Sequence, residues 1–173
     1  MSDVARYSAV EPLRNGRRIE IRALRPDDRH ELLAAVNRTS AQSLYRRFFA
    51  ARKSFTEKEV AFFLNVDFVS HVALVAVMKE NEGQAICGGG RFVVVQPGKA
   101  ELAFVVVDQY QGQGIGAALL RHLIAIARAA GIKEFIAEVS RENAAMMKTF
   151  RNSGLRMTAR REPDVVHVTL ALE

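Results

Sequence analysis

The chain has 173 residues, 49% hydrophobic and 25% charged, with one cysteine and a formal charge of +6 from 25 Lys and Arg against 19 Asp and Glu. That balance fits one compact domain with a full core and argues against a disordered chain. A lone cysteine excludes a disulfide scaffold, and no run reaches the roughly 18 apolar residues of a membrane-spanning helix. The opening Met1-Ser2-Asp3-Val4-Ala5-Arg6 lacks the apolar stretch of a secretory leader, so the cytoplasm is the expected compartment. The positive surplus favours a polyanionic partner, whether nucleic acid, acidic protein or phosphate-rich cofactor. With no Trp and three Tyr, stacking platforms for single-stranded nucleic acid would have to come from the ten Phe, several of which sit in apolar runs.

In chain order, residues 1–16 are expected to be a loose lead-in to a single domain covering 1–173. Ile19, Ile21 and Ala23 alternate with Glu20 and Arg22, the period of a strand with one buried face. Pro26, Asp27 and Asp28 suit the first turn of a helix running to about Val36. Thr39 and Ser40 open a second helix carrying Leu44, Tyr45, Phe48 and Phe49, and Thr56 with Glu59 has capping-box spacing ahead of a third. Apolar, β-branched runs follow at Val72–Val77, Phe92–Val95 and Ala103–Val107, read as three antiparallel neighbours. Gly114–Ala130 reads as a helix with Leu119, Leu123 and Ile126 on one face, ended by Gly131. A strand at Phe135–Val139, a helix at Asn143–Asn152 and a strand pair at Leu155–Arg160 and Val165–Leu170 complete the chain. The connection from Ala103–Val107 to Phe135–Val139 is expected to be a parallel crossover.

The chemistry is concentrated between the strand ending near Val107 and the helix opening at Gly114. Gly112, Gly114 and Gly116 allow positive φ and close backbone approach, and they precede a helix N-terminus, where unpaired amides and the helix dipole favour an anion. A phosphate or pyrophosphate is the natural occupant. A simple glycine-rich turn would also fit. Gly112, Gly114 and Ala117 formally satisfy a dinucleotide fingerprint with Glu138 as the ribose acid, but the motif follows several elements instead of opening the first βα unit. The triphosphate P-loop fails, because Ala117, Ala118 and Leu119 occupy the Gly-Lys-Ser/Thr positions.

Gln111-x-x-Gly114-x-Gly116 after an apolar strand, with Asn143 and then Gly154 eleven residues later, resembles the GNAT acetyltransferase superfamily over essentially the whole chain. The segments Ser40–Phe49, Asn65–Phe68 and His71–Ala76 further resemble the acetyltransferase domain of bacterial protein lysine acetyltransferases of the Pat type. Ala100-Glu101-Leu-Ala-Phe104 looks like the strand that carries the catalytic glutamate in nuclear lysine acetyltransferases. The resemblance implies an α/β (α+β) GNAT fold, with a mixed, mostly antiparallel sheet of six to seven strands and about four helices. It implies acetyl-coenzyme A as acyl donor, no metal, and an acceptor amine on a protein lysine, with no role for nucleic acid or membrane and a homodimer left open. Its cofactor contacts would fall on Val105, Val106 and Val107 for the pantetheine arm, and on Gln111, Gly112, Gln113, Gly114, Ile115, Gly116 and Ala117 for the pyrophosphate. Asn143 would hydrogen-bond the cofactor, or cap the following helix, or both.

Glu101 is the expected general base, since an amine ammonium with pKa near 10.4 must lose a proton before it attacks a thioester. Glu101, Ala103 and Val105 share one strand face, which would put the carboxylate beside a carbonyl polarised by the Val105 amide. In that apolar run the carboxyl is expected to be desolvated or to work through a water; the plain alternative is a solvated edge glutamate. Many members of the family place Tyr seven residues after the position of Asn143 to protonate the departing thiolate, and here that residue is Phe150. Water would then supply the proton, or the thiolate would leave unassisted; a non-catalytic acyl-coenzyme A sensor and a small-amine acetyltransferase are the alternatives. Cys87 reads as a buried bystander, and His30, His71, His122 and His167 lack metal-ligand spacing. Arg46, Arg47, Arg52 and Lys53 form a basic patch that would suit an acidic acceptor surface or a solvated helix face.

Overall fold

A computed structural model describes residues 3–37, 56–80 and 83–173. Eight strands form one sheet: β1 (Ser8–Pro12), β2 (Arg18–Ala23), β3 (His71–Glu80), β4 (Gly83–Gln96), β5 (Lys99–Val106), β6 (Glu134–Ser140), β7 (Arg156–Arg161) and β8 (Val165–Ala171). Their order across the sheet is β1-β2-β3-β4-β5-β6-β8-β7, and every pairing is antiparallel except β5 with β6. The helices are α1 (Arg29–Asn37), α2 (Glu57–Leu64), α3 (Ile115–Ala129) and α4 (Ala144–Arg151). The expected fold class and parallel crossover are observed, with eight strands instead of six or seven.

The additional strand is β1. Residues 1–16, expected as a loose lead-in, contain a 3-10 turn at Asp3–Arg6 and then Ser8–Pro12, paired in register with Arg18–Arg22. Short, half-exposed and ending in proline, it is a typical edge strand with no apolar run to announce it. The second expected helix, from Thr39, and the basic patch at Arg46–Lys53 lie outside the described residues.

α2 begins where its capping box dictates. Thr56 Oγ1 accepts from the Glu59 amide at 3.1 Å, and Glu59 Oε1 accepts from the Thr56 amide at 3.2 Å. β4 continues through Gly88-Gly89-Gly90, next to a register shift against β3 at Ala76–Val77, and two of these glycines have close neighbours where a side chain would begin. A Cβ on Gly88 would lie 2.9 Å from the Val105 carbonyl oxygen, and one on Gly90 would lie 2.9 Å from Leu123 Cδ1 of α3. The missing side chain at Gly90 lets α3 settle directly on β4. Beneath it, Phe92, Leu102, Phe104 and Phe135 form the core of one sheet face, with Phe92 and Phe135 ring centroids 5.5 Å apart. α2 covers part of the other face, where the rings of Phe62 and His71 lie 5.1 Å apart. Cys87 is a fully buried thiol, its Sγ 3.5 Å from the Ala85 carbonyl oxygen.

One buried ion pair ties β2 to the turn before α1. Arg22 donates from both terminal nitrogens to Asp28, each at 2.8 Å, and the Arg25 amide adds a bond of 2.7 Å. Burial alone would raise the Asp28 carboxyl, but the Arg22 guanidinium and the Arg25 amide outweigh it and hold the group below the usual carboxylate range. Removing one partner leaves the other charge buried. Asp28→Asn should therefore cost about 3–5 kcal/mol in urea unfolding, and a loss under about 1 kcal/mol would show that water reaches the pair.

Candidate active site

β5 and β6 pair through only three residues, Lys99 with Glu134, Ala100 with Phe135 and Glu101 with Ile136. Beyond that point β5 stays with β4 up to Val106, while β6 stays with β8 up to Ser140. The two strands part like a fork, and Glu101 stands at its base.

On the α3 face of the fork, a cavity of about 30 Å³ lies between the strands, lined by Phe104, Ala137, Val139, Asn143, Met146 and Phe150. Phe150 is 2% exposed and meets Phe104 edge-on, with centroids 5.8 Å apart and planes at 80°. Asn143 caps α4, its Oδ1 accepting from the Met146 amide at 3.1 Å, and also lines this cavity. On the other face a concavity of about 500 Å³ opens in front of β6, β8 and β7, with Glu101, Glu138, Thr158, Arg160, His167 and Thr169 in its wall.

Glu101 is exposed, so the desolvated setting expected from its apolar run is absent. Cross-strand register places it in one row with Val93 and His71 on one side and Ile136 and Thr169 on the other. Glu138 follows Ile136 at period two on the same face, and its side chain is 59% exposed. His71 is buried; its Nε2 lies 2.9 Å from an Arg91 terminal nitrogen, and Arg91 stacks 4.9 Å from the Phe63 ring centroid. Burial first, and then the Arg91 charge, lower the His71 pKa to about 4, so the imidazole is neutral at pH 7. Among the described residues no group of three or more His, Cys, Asp or Glu could hold a metal.

Between the fork and α3 the backbone is shaped by glycine. Gly112 has φ +80° and Gly114 φ +94°, conformations that other residues adopt rarely. A Cβ on Gly112 would meet nothing within 4 Å, so this part of the loop is open to a visitor. Gly114 caps α3 without a side-chain bond and the first turn carries no acidic residue. The amides of Ile115, Gly116 and Ala117 therefore form an uncompensated positive terminus. Gly116 is already helical, and a Cβ there would sit at ordinary contact distance from Phe104. Gln111 folds back, its Nε2 donating to the Val106 carbonyl at 2.9 Å, and Gln113 Oε1 accepts from Asn15 Nδ2 at 3.0 Å.

The register also decides which amides of β5 face the fork. Val107 donates to the Cys87 carbonyl at 2.8 Å, and Val105 lies opposite Gly89 in the same ladder. Antiparallel ladders alternate their donors, so the amides of Val105 and Val107 point to β4. The Val105 amide, expected to polarise the carbonyl, therefore faces away from the gap, and Phe104 and Val106 present theirs to it. Period two on a sequence reveals side-chain faces, but the direction of an amide depends on register. From the sequence Glu138 stands out only as a ribose acid for a dinucleotide, His71 only as a histidine without metal-ligand spacing, and Arg91 not at all. Only the alternation of Glu138 with Ile136 could have pointed to that face.

The family model described as acetyltransferase (GNAT) family matches residues 38–155. The chain is 31% identical over 156 residues to Acetyltransferase PA5475 of Pseudomonas aeruginosa, covering 90% of this chain and 83% of that protein. It is 35% identical over 144 residues to Acetyltransferase Pat of Mycolicibacterium smegmatis, covering 82% of this chain but only 42% of that protein, so it spans less than half of that relative. Among solved structures, the GNAT domain of S. lividans PAT matches with a TM-score of 0.85 at 33% identity, over 95% of this chain and 96% of that one. With most of its length matched by the family model, this chain belongs to the acetyltransferase (GNAT) family, enzymes that take their acyl group from acetyl-coenzyme A.

Proposed function

We propose that the chain transfers an acetyl group from acetyl-coenzyme A to the side-chain amine of a protein lysine, by direct attack and with Glu101 as general base. The observation that carries this reading is the position of Glu101, an exposed carboxylate at the base of a fork whose open strand edge lies just beyond it.

The donor fits what the residues offer. Pyrophosphate oxygens would be held by the amides of Ile115, Gly116 and Ala117 and by the Gly112–Gly114 backbone, with Gln111 and Gln113 beside them. The pantetheine arm would add to β5 as a strand, using backbone groups of Phe104 and Val106 within the Val105–Val107 stretch. Asn143 would border the same gap from the start of α4. An arm passing through the fork would carry its thioester from the α3 face toward the face on which Glu101 stands.

Glu101 would take a proton from the incoming ammonium, directly or through a water. The amine nitrogen would then attack the carbonyl carbon, forming the C–N bond as the C–S bond breaks. The thiolate would take up, through water, the proton that the acylated nitrogen sheds, since Phe150 offers none. The likeness to Pat-type enzymes supports lysine over a small amine. A pure acyl-coenzyme A sensor would need no exposed base at the fork.

Two substitutions separate binding from chemistry. Gly114→Val places a β-branched residue at φ +94° and should weaken acetyl-coenzyme A binding by more than about tenfold in calorimetry, in a protein that stays folded. Unchanged affinity would put the donor elsewhere. Glu101→Gln should lower kcat on a lysine peptide by about 10²- to 10⁴-fold with little change in donor affinity. Full turnover by this variant at pH 7 would remove Glu101 from the mechanism.

A further inference from the structure

The β1–β2 hairpin is fastened to α3. Glu11 on β1 accepts from Arg121 and, at 2.6 Å, from His122 Nε2, and the Tyr7 hydroxyl meets the other ring nitrogen of His122. Burial raises the Glu11 carboxyl, but the His122 bond and the Arg121 charge prevail and hold it below the ordinary range, so the anchor is ionised at neutral pH.

Past the anchor the hairpin closes tightly. The Leu13 amide donates to the Arg17 carbonyl at 2.6 Å, Asn15 Oδ1 accepts from the Arg17 amide at 2.9 Å, and Gly16 has φ +84°. Its tip then touches the glycine loop. Asn15 Nδ2 donates to Gln113 Oε1 at 3.0 Å, and Arg14 Nε lies 3.8 Å from where a Gly114 side chain would begin.

Arg14 has no ion pair or hydrogen bond among the described residues, whereas Arg121 pairs with Glu11 and Arg17 reaches the Lys79 carbonyl. An exposed guanidinium thus stands beside the positive end of α3 with no carboxylate in that helix's first turn to offset either. Two like charges placed together by a fastened hairpin repel each other, and an anion lying between them removes the repulsion. We propose that Arg14 is a binding residue for acetyl-coenzyme A that grips a phosphate of the donor from the side opposite the α3 amides, with Asn15 holding the hairpin tip to Gln113. This rests on the reading of the glycine loop as the pyrophosphate site.

Coenzyme A carries its pyrophosphate and a separate 3′-phosphate, and Arg14 could serve either. Calorimetry of coenzyme A and of 3′-dephospho-coenzyme A against the full chain, Arg14→Gln, Arg14→Lys and Gly114→Val distinguishes them. Arg14→Gln should bind coenzyme A about tenfold more weakly, as expected for loss of a charge-assisted contact, and with a shallower dependence on salt. Arg14→Lys should recover part of the affinity. A tenfold loss on both ligands assigns Arg14 to the pyrophosphate; a loss on coenzyme A alone assigns it to the 3′-phosphate. If Arg14→Gln binds coenzyme A as the wild type does while Gly114→Val does not, the Arg14 contact is wrong and the loop reading stands. If neither substitution changes affinity, both fall.

Discussion

β5 and β6 lie side by side for three residue pairs and then separate, and almost everything that gives this fold a site follows from that separation. A continuous sheet would satisfy every amide of β5 on both sides and leave no entry for a ligand. Here β5 is held by β4 and β6 by β8, so the strands diverge without either losing its other partner. Phe150 stands against Phe104 in the opening, and both rings line the small cavity there. The position where the family often carries a tyrosine is thus occupied by a ring packed into the core.

The fork is useful only because the chain just beyond β5 turns into a helix in the same place. Gly112 and Gly114 take backbone conformations that direct α3 back over the sheet, and Gly90 lets it rest there, with Leu123 of α3 lying where a side chain would begin. The open strand edge, the α3 amides and Glu101 therefore come from one short run of chain. Their order along that run is local, whereas the opening of the edge depends on how β4 and β8 hold the two strands.

That locality explains what could be read from the sequence. The glycine motif, the helix behind it, the Thr56–Glu59 cap and the shared face of Glu101, Ala103 and Val105 are all short-range patterns. Four features escaped because their causes are long-range. β1 is an edge strand with proline and no apolar run, visible only through its pairing with β2. The continuity of β4 through Gly88-Gly89-Gly90 depends on what packs against those glycines. The amides that face the fork depend on the register between β4 and β5, which no periodicity encodes. Asn15 meets Gln113 across 98 positions of sequence, so nothing near the motif announces the hairpin at its side.

The central claim is that the donor lies along β5 as an added strand inside the fork. Amide hydrogen exchange by NMR, with and without acetyl-coenzyme A, tests it residue by residue. The account predicts that the Val105 and Val107 amides, already bonded to β4, exchange slowly in both states, whereas those of Phe104 and Val106 become protected only when the donor is bound. If the donor binds and the exchange of Phe104 and Val106 does not change, it does not lie along this edge, and the account of the fork as the donor's seat is wrong.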